Sequence, residues 1–148
     1  LINITDLDLS SPDTIISKIL EFSKVNSLTN STVKIFLNSK LISYYSLEKP
    51  EISILNAKRQ QNLAMNVSLT LLKEGFSIRN YGNYNTVENS VILNRTPNIS
   101  LISKLSNKLG ITNISNFIFD PSLKDNLAGI IVILGKDFDL KNLKGETP

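Results

Sequence analysis

Residues 51–57, EISILNA, open a run of alternating extended and helical stretches. It continues through a helix closing on KEGF at 73–76, SVILNR at 90–95, a second helix closing on KLG at 108–110, and GIIVILGKDF at 129–138. Apolar residues at strand length recur at 51–56, 90–95 and 129–134, while those between them recur at helical spacing, so the order reads strand, helix, strand, strand, helix, strand. Gln60–Glu74 places Leu63, Ala64, Val67, Leu71 and Leu72 on one side of a helix, and Gly75 is placed to supply the left-handed residue that stops it. Phe76, Ile78 and Asn80 continue as a strand, and YGNYNTVEN at 81–89 has the glycine and asparagines of a turn or hairpin loop. Thr96 and Pro97 open the second helix, which carries Ile99, Ile102, Leu105 and Leu109 and closes at Gly110. Two last strands are expected at Asn116–Phe119 and Gly129–Leu134, with DPSLKDN between them as loop.

This order places the chain in the α/β class as an α+β sandwich, with a βαββαβ-type core of four to five strands and two helices on one face. Such a core commonly sets its first and third strands side by side at the centre of an antiparallel sheet. ILN occurs at 54–56 before the first helix and again at 92–94 before the second. It reads either as strand, helix, strand written twice or as the trace of a duplication.

The first fifty residues differ. Ser11, Pro12 and Asp13 form a helix start, and Ile15, Ile16, Ile19, Leu20 and Phe22 make an apolar stripe that ends near Lys24. Val33, Ile35 and Leu37 alternate with Lys34, Phe36 and Asn38 in a strand, and Leu41–Leu47 can pair back on it through Asn38 and Ser39. Pro50 biases Lys49 away from helix. The expected division is an N-terminal accessory segment at 1–49, a main domain at 50–139 and a polar tail at 140–148.

Composition removes much chemistry. The 148 residues include no Cys and no His, which excludes thiol nucleophiles, disulfides, imidazole bases and nitrogen or sulfur metal sites. Asp137 and Asp139, in D-F-D, lack the repeated oxygen ligands of a calcium loop, and no Gly-rich phosphate loop or G-x-S-x-G is present. Ser17-Lys18 and Ser103-Lys104 are adjacent on helices and point about 100° apart, so neither makes a dyad. No catalytic machinery, metal site or cofactor is expected. A net charge of +3 spread over sixteen Lys and Arg without long runs reads as a solvated surface. No apolar run reaches the roughly 18 residues of a membrane span. Asparagine is frequent, and N-x-S/T sequons such as that at Asn66 are ascribed to this composition.

With the first and third strands adjacent, Asn56, Lys58, Arg59 and Gln60 would sit beside Asn94 and Arg95 at two helix N-termini, an edge able to hold an anionic or hydroxyl-rich ligand. The competing reading is that both Asn residues cap helices and the cations are solvated. Tyr81 and Tyr84, flanking Gly82 among asparagines, could stack on a sugar ring or simply anchor a hairpin.

The punctuating residues resemble those of the LytR C-terminal domain family. The likeness covers residues 51 to about 138. It rests on ISILNA with Asn56 and Ala57, on Leu63-Ala64, Leu72 and Gly75-Phe76, on Val91–Leu93, on Leu109-Gly110, and most distinctively on Leu134-Gly135-Lys136-Asp137-Phe138. The family usually has Gly before the Leu-Ala pair, where this chain has Asn62. The resemblance implies an extracytoplasmic bacterial envelope protein, membrane-anchored through a segment outside this sequence. Such domains follow a LytR-CpsA-Psr catalytic domain or an anchor alone, and are themselves noncatalytic. The expected partner is peptidoglycan or a wall glycopolymer. An assembly module for envelope proteins is the alternative. An RNA-binding ferredoxin-like domain ranks last, because ISILN and SVILN carry none of the aromatics of an RNP pattern, and no nucleic-acid partner is expected. Residues 1–49 contain no Arg, so the arginine-rich motif of the transferase is not expected there.

Overall fold

The computed structural model describes residues 2–3, 32–37, 40–46, 50–96, 98–116, 123 and 126–143. The helix expected to start at Ser11 lies outside them. β1 (Ile2–Asn3), β2 (Thr32–Leu37) and β3 (Lys40–Ser46) form a three-stranded sheet in that order. β2 and β3 pair antiparallel as their spacing predicts, and β1 joins β2 in parallel.

The larger unit contains β4 (Ile52–Asn56), α1 (Leu63–Lys73), β5 (Ile78–Asn83), β6 (Val91–Asn94), α2 (Ile99–Leu109), β7 (Ile114–Asn116) and β8 (Ile130–Leu134). It is a five-stranded mixed sheet with two helices, as the α+β reading requires. The strand order is β5-β4-β8-β6-β7, and this corrects the expectation that the first and third strands adjoin. β8 lies between β4 and β6, parallel to the first and antiparallel to the second. The reason is burial. β8, IIVIL, has no polar residue and is buried throughout, so both of its faces need cover, which an interior position in the sheet supplies and an edge does not.

The two faces differ in what covers them. On one, Ile52, Ile54, Ile92, Ile130, Val132 and Leu134 pack with Leu63, Val67, Leu71, Ile102, Leu105 and Leu109, so both helices share a face. On the other, Leu55, Leu93, Ile131 and Ile133 pack with Ala57, Leu123 and Ala128, with Tyr84 and Val87 against them. Each buried Leu or Ile contributes about 1.5–3 kcal/mol relative to exposure.

In α1 the buried set is Leu63, Ala64, Val67, Ser68 and Leu71. Leu72, expected on that side, is 50% exposed. At about 100° per residue it falls beyond the buried arc, whose last position Ser68 occupies. In α2, Ile99 is 73% exposed, and the buried face begins only with Ile102, one turn in.

Both helices stop as expected. Gly75 (φ 90°) and Gly110 (φ 67°) take left-handed geometry, and the following amides of Phe76 and Ile111 reach back to the carbonyls of Leu71 (3.0 Å) and Ser106 (3.2 Å). Across the helix ends, Lys108 Nζ pairs with Glu74 Oε1 at 2.8 Å.

The stretch after Phe76 differs from the hairpin loop expected at 81–89. β5 runs through Tyr81 and Gly82 to Asn83, where its pairing with β4 ends. The chain then crosses two strands to reach β6. Tyr84 N donates to Asn56 O (2.9 Å), Val87 N to Ala57 O (3.1 Å), Lys136 N to Val87 O (2.9 Å) and Asp137 N to Glu88 O (3.1 Å). Residues 84–90 are therefore a strap across the carboxyl ends of β4 and β8. At the other end of the sheet β7 occupies 114–116, two residues before the strand expected at Asn116–Phe119, of which 117–119 lie outside the described residues.

Candidate functional site

A cleft of ≈ 790 Å³ opens at the carboxyl ends of β4 and β5, against the first turn of α1. Its lining includes Asn56, Arg59, Gln60, Gln61, Asn62, Met65, Tyr81, Asn83 and Tyr84, with no Asp or Glu. In sheets with parallel strands, crevices beyond the strands' carboxyl ends are the usual ligand positions.

The loop from Asn56 to Asn62 shapes this cleft. Asn56 is buried, its Oδ1 accepts from Lys58 N (3.1 Å) and its Nδ2 donates to Gln60 O (2.7 Å). The loop then needs two left-handed residues, Arg59 (φ 58°) and Asn62 (φ 62°), neither of them Gly. Asn tolerates that region better than most residues. Asn62 therefore meets the geometry for which glycine was expected before Leu63-Ala64. Asn62 precedes the helix without a side-chain capping bond, and the first turn of α1 holds no acid. Arg59 is exposed and forms no hydrogen bond or ion pair with the described residues.

Tyr81 stands in β5 in register with Ile54, which puts it on the helix side of the sheet, and it is 53% exposed. Tyr84 follows β5 and packs against the opposite apolar cluster. The cleft thus combines one exposed aromatic ring, one arginine and several side-chain amides.

Asn94 and Arg95 lie elsewhere. Asn56 pairs with Leu134 of β8 and Asn94 with Ile130, so the two asparagines sit at opposite ends of the sheet. The edge expected to unite Asn56, Lys58, Arg59, Asn94 and Arg95 does not exist, because β8 intervenes and reverses the relative direction. Arg95 is only 3% exposed. Its Nε and Nη2 donate to Ala128 O at 3.2 and 2.7 Å, and Nη2 also donates to Asn126 O, so it clamps the approach to β8. Lys58 leaves the cleft and donates through Nζ to Phe138 O. Of the residues singled out in the sequence, the structure brings together Asn56, Arg59, Tyr81 and Tyr84. Gln60, read from the sequence beside Arg59, lines the cleft as well, and Gln61 and Asn83 join them; the signal for these two was the run of amides on either side of this edge.

The two strand-helix loops offer an internal comparison. Asn94 Oδ1 accepts from Thr96 N at 3.0 Å, the same turn that Asn56 makes, and the next amides bond at the two ends of β8: Ala57 N to Leu134 O (2.9 Å), its last residue, and Arg95 N to Gly129 O (2.8 Å), just before its first. Four positions separate Asn94 from Asn98, against six from Asn56 to Asn62. In the shorter loop Asn98 caps its helix in the ordinary way, its Oδ1 accepting from Leu101 N at 3.1 Å. The longer loop forgoes that cap, takes left-handed geometry twice and walls a cleft. Backbone held in such regions clusters at functional sites.

A second hollow, of ≈ 380 Å³, lies between the strap, the end of α2 and residues 137–139. Its acids are engaged. Asp137 Oδ1 accepts from Ser90 N (2.8 Å) and Ser90 Oγ (2.6 Å), and Asp139 Oδ1 accepts from Lys141 N (2.9 Å). Among the described residues no group of three or more His, Cys, Asp or Glu could hold a metal ion, and no helix is long and apolar enough to cross a membrane.

A family model described as LytR cell envelope-related transcriptional attenuator matches residues 49–138, more than half of the chain. The chain belongs to this LytR C-terminal family. It is therefore a cell-envelope-related domain of the C-terminal attenuator type. No curated protein and no solved structure matches the chain. The matched residues run from Lys49 to Phe138. Within them, Leu134–Phe138, the most distinctive stretch in the sequence reading, packs against the strap. A Cβ on Gly135 would lie 2.7 Å from the carbonyl carbon of Asn89, Asp137 holds Ser90, and Leu134 and Phe138 are buried in the core.

Proposed function

We propose that this LytR C-terminal domain is a noncatalytic, extracytoplasmic binding module that holds peptidoglycan or another wall glycan in the cleft formed by Asn56, Arg59, Tyr81 and Tyr84. The observation that carries the reading is the composition of that cleft: a half-exposed tyrosine ring beside side-chain amides and an arginine, with no acid. An aromatic face covers the apolar side of a pyranose, and amides match the donor and acceptor pattern of hydroxyl and acetamido groups. Membership of an envelope-related family supplies the setting in which such glycans are the abundant polymer. Anchoring would come from a segment outside this sequence.

Cosedimentation with purified peptidoglycan sacculi tests it. The expected outcome is saturable binding that the double substitution Arg59→Gln, Tyr81→Ala lowers at least about tenfold, since an aromatic contact and a charge-assisted bond together contribute roughly 2 kcal/mol or more. A double variant that folds and binds as the wild type does would remove the cleft from the reading.

A second reading rests on α1. Leu69 and Leu72 are each 50% exposed on its outer face, and Met65 continues the stripe toward the cleft. An assembly surface for an envelope protein would use that face and leave glycan binding absent.

A further inference from the structure

We propose that the cleft selects an acidic sugar unit, with Arg59 pairing with its carboxylate or phosphate while the ring lies against Tyr81. This rests on the glycan reading above and narrows its ligand.

Arg79 pairs with Glu51 at 2.9 Å, Lys108 with Glu74 at 2.8 Å and Lys136 with Glu88 at 3.0 Å, while Lys58 and Arg95 are held by backbone carbonyls. Arg59, like Lys73 and Lys141, has no such partner among the described residues; it differs from them in lining a cleft that offers no carboxylate to answer it. A guanidinium stays charged at any physiological pH, and its planar fork matches carboxylate and phosphate oxygens two at a time. A concave wall carrying one sign of charge concentrates the field inside it, so the cleft attracts anions before contact.

The surrounding groups argue for a sugar bearing the charge over a small free anion. The cleft, ≈ 790 Å³, is far larger than a phosphate needs, and Tyr81 contributes an exposed ring of pyranose size. Gln60, Gln61 and Asn83 each bring a donor and an acceptor for hydroxyl or acetamido groups, whereas a site built for a bare anion would need donors alone. The shorter loop is the contrast. There Asn98 caps the helix, and the arginine in the loop, Arg95, is spent on Asn126 and Ala128.

Equilibrium titration of the whole chain with three soluble probes tests the proposal. The probes are a β-1,4-linked N-acetylglucosamine tetramer, which is neutral; the tetrasaccharide alternating N-acetylglucosamine with N-acetylmuramic acid, which carries carboxylates; and the neutral tetramer bearing 6-phosphate groups. The expected result is at least about tenfold tighter binding of one or both acidic probes than of the neutral one, weakening with salt. Whichever acidic probe is preferred assigns the carboxylate or phosphate source. Arg59→Gln should erase the preference, bringing the acidic probes down to the affinity of the neutral one. Equal binding of all three probes, or an acidic preference that survives Arg59→Gln, overturns the acidic selection and leaves the glycan reading standing. If none of the three binds and sacculi are not bound either, the glycan reading fails and this inference falls with it.

Discussion

Arg59 occupies φ 58°, a region that costs a residue with a side chain about 1–2 kcal/mol. Glycine would sit there without strain, at the expense of a more flexible unfolded chain. Arg59→Gly should therefore leave stability unchanged or raise it by up to about 1 kcal/mol, measured by urea unfolding, while weakening glycan binding. A residue kept for the fold would show the opposite. Gly135 is the reverse case. An added Cβ would meet Asn89 backbone at 2.7 Å, so Gly135→Ala should destabilise by roughly 2 kcal/mol, with the loss read as a lower denaturation midpoint. At this scale the sequence marked Gly135 and Asp137 as punctuation and Arg59 as a site residue, but it could not show their partners. Gly135 and Ser90 lie 45 positions apart, Asp137 and Ser90 47, and contacts at that separation follow from strand order alone. Arg95 was misjudged for the same reason: nothing in Asn94-Arg95-Thr96 reveals that the chain returns at 126–128 to cover it.

Among elements, helices were more legible than the sheet. Both are eleven residues long and both end on the glycine marked for that purpose, since capping is decided within a few neighbours. Their faces were read less well. In α1 the buried arc is closed by Ser68, a polar residue, and Leu72 beyond it is left outside. Ser68 Oγ is buried with no hydrogen-bond partner among the described residues. Ser68→Ala should accordingly stabilise the protein by about 1 kcal/mol, visible as a raised thermal midpoint, with binding untouched. The strand order had a clue that the common βαββαβ pattern overrode. Of the five strands in this sheet, Ile130–Leu134 is the one without a polar residue, the mark of a strand covered on both faces. Placing it at the centre moves Asn94 and Arg95 away from the cleft and leaves Tyr81 on a side strand beside Arg59.

Taken as one unit, residues 50–143 have a two-fold plan. A strand-helix-strand unit lies on each side of β8, the two running in opposite directions, with both helices on the same face. The repeat of ILN is the trace of this plan in the sequence. The halves diverge in one place above all, the loop between strand and helix, which is closed in the second half and open in the first. Under the glycan proposal this chain carries one binding edge, where β4, β5 and the strap meet, and its opposite end is structural. Chemical-shift mapping of the isotopically labelled chain during titration with soluble peptidoglycan fragments tests this most directly. The predicted result is a set of shifted amides confined to Arg59–Asn62 and Tyr81–Tyr84, with those of Asn94 and Arg95 unmoved. Shifts centred on Leu69 and Leu72, or at the Asn94 end of the sheet, would contradict it.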